Sequence, residues 1–132
     1  MNERPAPESP QAWLQRAQSD LALARAVLDS PDVLREDVCF HAQQCAEKAL
    51  KALLVHLSMV YQRTHAIETL IDLLKASGVE IPQEVDRCFS LTQYAVETRY
   101  PGDWEPITEE ETRSALEMAA TVLGWVEVQL NA

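Results

Sequence analysis

Apolar positions along this chain recur at helical spacing, and the most informative run, Val38 to Leu57, sits near its middle. At about 100° per residue, Val38, Ala42, Cys45, Ala49, Ala52, Leu53 and His56 fall on one broad side. The remaining arc holds His41, Gln44, Glu47, Lys48 and Lys51, but also Phe40, Leu54 and Val55. A simple surface helix would not carry those three apolar residues among its charges. The pattern predicts a central helix, packed on one side and partly covered on the other.

Four further segments repeat the periodicity. Ser9-Pro10 supplies an N-cap followed by proline at the first helical position, and Trp13, Leu14, Ala17, Leu21, Ala24 and Leu28 form one stripe that runs to about residue 29. Asp20 lies beside that stripe, where a hydrogen bond to a neighbouring helix would explain it, with a role in a site as the alternative. Thr64 is placed to cap a helix with Glu68 in its first turn, Ile67, Leu70, Leu73 and Leu74 inside, and Gly78 as its stop. A fourth helix is predicted from Pro82 to about Thr98, burying Val85, Cys88, Phe89, Thr92, Ala95 and Val96. After the Pro- and Gly-broken stretch 99–106, Thr108 to Glu111 forms a capping-box pattern. The last helix would bury Ala115, Leu116, Ala119, Val122, Leu123, Val126 and Leu130, leaving Gly124 outside. No segment alternates with a period of two, so the chain reads as all-α. With short links, the expected architecture is an antiparallel up-and-down helical bundle.

Composition narrows the class. The 132 residues suffice for a single core, so residues 10–132 read as one helical domain, with residues 1–9 a disordered tail. No apolar run is long enough to span a membrane and the start is not a secretory signal, which makes the cytoplasm the expected location. Three cysteines, Cys39, Cys45 and Cys88, lack C-x-x-C spacing and read as reduced core fillers. A net charge of −10 repels polyanions, so no extended nucleic-acid surface is expected.

Candidate chemistry gathers on the central helix. His41 and His56 stand fifteen residues apart in the sequence, about 22 Å along a helix axis, and cannot share an ion. His56 reads as a satisfied core histidine, and no metal or cofactor is expected. Glu47 and Lys51 form an acid-first pair four residues apart, worth a few tenths of a kcal/mol if exposed. With Lys48 they make a local cationic patch that a phosphate or a partner carboxylate could occupy, or else a solvated face.

Four segments together carry a resemblance: QSDLALARAVL at 18–28, FHAQQCAEKALKALL at 40–54, THAIETL at 64–70 and LTQYAVETRYPGDW at 91–104. In this order and spacing the chain resembles the HEPN family, the higher eukaryotes and prokaryotes nucleotide-binding domain, over roughly residues 10 to 130. The resemblance implies four main helices plus a short extra one, commonly in a homodimer. It also implies a minimal nucleotidyltransferase as partner, often in a toxin–antitoxin pair, and a nucleotide as ligand. Glu47, Lys48, Lys51, His65, Arg99 and Tyr100 are the residues expected to draw together as a nucleotide- or partner-binding groove. Other members are ribonucleases that carry an arginine followed, after four to six residues, by a histidine on a late helix. Of the eight arginines here, only Arg35 with His41 has that spacing, at the start of the second helix. A non-catalytic binding module is therefore the favoured reading, with a metal-independent ribonuclease using Arg35 and His41, or a purely structural dimer, as alternatives.

Overall fold

The computed structural model describes residues 8–61, 63–95 and 105–132. Among these, α1 spans Pro10–Val27, α2 Arg35–His56, α3 Ile67–Ala76, α4 Gln83–Asp86 and α5 Glu109–Leu130, with a 3₁₀ segment, Arg87–Tyr94, following α4. The described residues contain no strand, and the molecule is an all-α bundle. Its first helix begins as the sequence requires: the Ser9 side chain accepts from the Ala12 amide at 3.1 Å, and Pro10 needs no partner for a missing N–H.

Helix α2 is the axis of the bundle. It lies against α1, α5, α3 and the 3₁₀ segment. Arg35 reaches the Ile107 carbonyl at the start of α5, and the Cys45 thiol faces the Ala119 carbonyl half-way along it. Helices α2 and α5 therefore run in the same direction. Contacts from Gln18 to Glu127 and from Asp29 to Arg113 show α1 running against α5. Burial follows from this central position: Leu50, Leu54, Ile67, Leu70, Ile71 and Leu74 are fully enclosed. Leu54, expected on the partly polar arc, belongs to the core, whereas Phe40 and Val55 are half-buried.

Several expectations need correction. Helix α2 begins at Arg35, three residues before the run read from Val38, with Glu36 and Asp37 at its positive end. His56 is exposed, not a core histidine, because α2 ends there and the chain turns away. Helix α3 starts after Ala66, and Thr64 instead accepts the Ala66 amide in a local turn. Gly78 does end this helix, at φ +92°, with the Val79 amide returning to the Leu74 carbonyl.

The predicted fourth helix is the largest departure. Only Gln83–Asp86 is α-helical; Arg87–Tyr94 tightens to 3₁₀ geometry, and residues 96–98 lie outside the described residues. A 3₁₀ helix stacks every third residue on one face, so Cys88, Leu91 and Tyr94 are buried while Phe89 is 54% exposed. The sequence of this stretch, RCFSLTQY, is poor in strong helix formers. Ser90 and Gln93 also bond side chain to backbone carbonyls three residues back, competing with the α-helical ladder.

At α5, Thr108 caps the Glu111 amide as expected. The Glu111 carboxylate accepts from the Tyr94 hydroxyl, tying the 3₁₀ segment to α5. The predicted inner positions of α5 are buried apart from Leu130, which is half-buried, and Gly124 is exposed. All three cysteines are free and buried. Expectations for residues 1–7 lie outside the described residues.

Two charge clusters along helix α2 as the candidate functional site

The polar arc of α2 is covered, and its charges are paired within the chain. Glu47 is only 3% exposed and Lys51 8%, so the pair read as a surface salt bridge is enclosed. Lys51 Nζ lies 2.8 Å from Glu47 Oε2, and His65 Nδ1 lies 2.9 Å from Oε1. The Gln43 amide reaches Glu47 Oε1 at 3.1 Å and the His65 carbonyl at 2.9 Å. Gln44 donates to Gln43 at 2.7 Å. Glu47 thus sits at the centre of a knot that fastens the connection between α2 and α3 onto α2.

Burial alone pushes the Glu47 carboxyl up. Lys51, Gln43 and His65 outweigh that push and hold it below the ordinary carboxylate value. Because a carboxylate only accepts, His65 Nδ1 carries the proton in this contact. Two aromatic rings complete the enclosure: Lys51 Nζ lies 5.4 Å from the Trp13 ring centre and 5.9 Å from that of Tyr61. Arg16 stacks over Trp13 at 5.6 Å. Burial, with Glu8 and Glu47 nearby, raises the Tyr61 phenol above its usual range.

Lys48 belongs to a different cluster. Its ammonium lies 2.7 Å from Asp20 Oδ2, while His41 Nδ1 lies 2.9 Å from Asp20 Oδ1. Asp20 therefore makes the interhelical bond expected of it, bridging α1 to two positions on α2. Phe40 packs edge-on against the His41 ring. The cationic patch read from the sequence is thus two internally balanced clusters, with both ammonium groups held by carboxylates of this chain.

Of the six residues expected to converge, Glu47, Lys51 and His65 do so directly, while Lys48 joins Asp20 and His41 instead. Arg99 and Tyr100 lie outside the described residues. Gln43, Trp13 and Tyr61 were missed as site residues. Gln43 was detectable as the position one turn before Glu47; Trp13 was absorbed into the apolar stripe of α1, and Tyr61 sits in a connection with no periodicity.

Arg35 and His41 are not brought together. Six residues on a helix separate them by about 9 Å along the axis and about 120° around it. Arg35 bonds the Ile107 carbonyl beside α5, and His41 faces Asp20 on α1. Among the described residues, no three His, Cys, Asp or Glu side chains are gathered closely enough to hold a metal ion, and no helix is long and apolar enough to cross a membrane.

Comparison with known proteins agrees with this architecture. The model of the HEPN domain family matches residues 10–129. The crystal structure of ST0689, an archaeal HEPN homologue, is similar at 29% identity and a TM-score of 0.74, over 92% of this chain and 98% of that one. The crystal structure of TT1696 from Thermus thermophilus is 32% identical with a TM-score of 0.75, covering 91% of this chain and 97% of that one. A Methanocaldococcus jannaschii protein named "Putative toxin MJ1304" is 27% identical over 125 residues, which is 84% of this chain and 81% of that protein. A family match over residues 10–129, nearly the whole of this all-α bundle, means that this chain belongs to the HEPN domain family.

Proposed function

We propose that this HEPN protein is the non-catalytic, dimeric member of a cytoplasmic toxin–antitoxin-like pair. In this reading it binds a minimal nucleotidyltransferase and accepts a nucleotide at the end of the bundle marked by Glu47, Lys51 and His65, with Lys48, Arg99 and Tyr100 contributing. Similarity to a protein named as a toxin supports the pairing. The observation that carries the non-catalytic part is that the one arginine–histidine pair with ribonuclease spacing stands at the start of α2, with both side chains engaged inside the chain, Arg35 by the Ile107 carbonyl and His41 by Asp20.

The test is purification of the protein from its own cells, with identification of what accompanies it. A stoichiometric nucleotidyltransferase supports the pairing; its absence from the purified assembly overturns it. Incubation with RNA in the absence of metal, beside an Arg35→Ala/His41→Ala variant, tests the non-catalytic part. Cleavage lost in the variant would replace the binding reading with the ribonuclease one.

A further inference from the structure

The Asp20 cluster leaves one nitrogen unused. His41 Nδ1 lies 2.9 Å from Asp20 Oδ1, and because a carboxylate only accepts, Nδ1 carries the ring proton. The lone pair of the neutral ring is therefore on Nε2, which makes no hydrogen bond among the described residues. The His41 side chain is 31% exposed against 12% for Asp20 behind it, so the ring meets solvent away from the carboxylate. Phe40 stands edge-on to it with ring centres 5.5 Å apart, which together with Asp20 holds the ring in one orientation. Lys48 Nζ sits 2.7 Å from the other carboxylate oxygen and offsets its charge, so an anion approaching Nε2 does not meet an unbalanced Asp20. An Asp–His pair activates a hydroxyl or thiol only where one lies on the free nitrogen. Among the described residues none bonds there, which leaves Nε2 itself as the nucleophile.

We propose that His41 Nε2 is a phosphoryl-acceptor site, with Asp20 as its positioning residue. The donor is a phosphoramidate, the class to which a phosphohistidine on another protein belongs. In the step, the Nε2 lone pair forms a bond to phosphorus while the donor's own P–N bond breaks. The donor nitrogen, already protonated, leaves as a neutral amine with that electron pair. Nothing is oxidised or reduced, and no proton leaves the ring. Nδ1 keeps its proton, and the positive charge that develops on the imidazole is met by the Asp20 carboxylate at 2.9 Å. The other two histidines lack part of this arrangement. His56 is exposed and its side chain has no partner among the described residues. His65 has a carboxylate, but Glu47 divides its charge among Lys51, Gln43 and His65. Neither the nucleotide nor the nucleotidyltransferase of the proposed function enters this step, so the two readings stand or fall separately.

The experiment is incubation of the full chain with potassium phosphoramidate at neutral pH. Mass spectrometry under conditions that preserve P–N bonds locates the phosphate, and phosphorus NMR identifies the nitrogen that carries it. Wild type is expected to take one phosphate on His41 Nε2, at least about tenfold faster than on His56, with His65 between them. His41→Gln should remove that label. Asp20→Asn leaves an oxygen to accept the Nδ1 proton but not the charge, and should slow His41 about tenfold or more while His56 keeps its rate as a control in the same molecule. Should that variant fail to fold, the nitrogen used and the ratio of His41 to His56 in wild type still decide the matter. The proposal is overturned if His41 is not labelled, if its phosphate is on Nδ1, if His56 or His65 reacts as fast, or if folded Asp20→Asn matches wild type.

Discussion

Replacing Lys51 by alanine probes the centre of the knot. The substitution leaves the Glu47 carboxylate, whose side chain is 4% exposed, without the one ammonium or guanidinium that pairs with it among the described residues. Breaking a buried ion pair by removing one partner costs about 3–5 kcal/mol. Here Gln43 and His65 still donate to Glu47, which places the expected loss near the lower end, about 3 kcal/mol. Loss of the ammonium from between the Trp13 and Tyr61 rings acts in the same direction. In urea unfolding at pH 7 and fixed protein concentration, that loss corresponds to a midpoint lower by about 1–3 M.

The pH dependence has a definite sign. In the wild type the Glu47 carboxyl is held below its ordinary value, so its contribution is present above about pH 4.3 and disappears as pH falls through the lower folded value. Without Lys51 the upward push of burial gains the upper hand, and protonation no longer costs the variant stability. The deficit should therefore be largest near neutrality and shrink in acid. A double substitution, Glu47→Leu with Lys51→Met, should recover most of the single-variant loss, since a well-packed apolar pair can match a buried ionic one. A loss under about 1 kcal/mol at pH 7, or a deficit that grows on acidification, would refute the enclosed-pair account.

Gly124→Ala should stabilise the protein by about 1 kcal/mol in thermal unfolding, because a β-carbon there meets nothing within 4 Å on the exposed side of α5. Ser58 ends α2 at φ +57°, with the Met59 amide returning to the Leu54 carbonyl; Ser58→Gly should relieve up to about 1 kcal/mol, measured the same way. Thr108→Ala removes the cap on the Glu111 amide and should cost about 1 kcal/mol, with the loss appearing in urea unfolding. Burial pushes the thiols of Cys39 and Cys88 up to about 11 and that of Cys45 to about 12. A disulfide reagent at pH 8 should therefore label none of the three until urea unfolds the chain, after which all three react; rapid labelling of the folded protein would contradict their enclosure.

The sequence by itself determined the class of fold, the caps at Ser9 and Thr108, the stop at Gly78 and the identity of the central helix. Each depends on local chemistry or on a 3.6-residue period, which a chain displays before it folds. It also indicated that Glu47, Lys51 and His65 belong together. It did not determine which side of α2 is dry. Charged residues on one arc look solvated until another segment covers them, and Glu47 and Lys51 are enclosed where Tyr61 and His65 return over α2 and Trp13 arrives from α1. The division of the two lysines between Asp20 and Glu47 has the same origin, since it depends on the height at which α1 packs. Nor did the sequence reveal the 3₁₀ geometry of Arg87–Tyr94, where an i, i+3 face replaces the α-helical one and turns Phe89 outward. Periodicity encodes which residues seek cover. Tertiary packing decides which ones receive it, because burying a charge is tolerable only where a partner from another segment arrives with it.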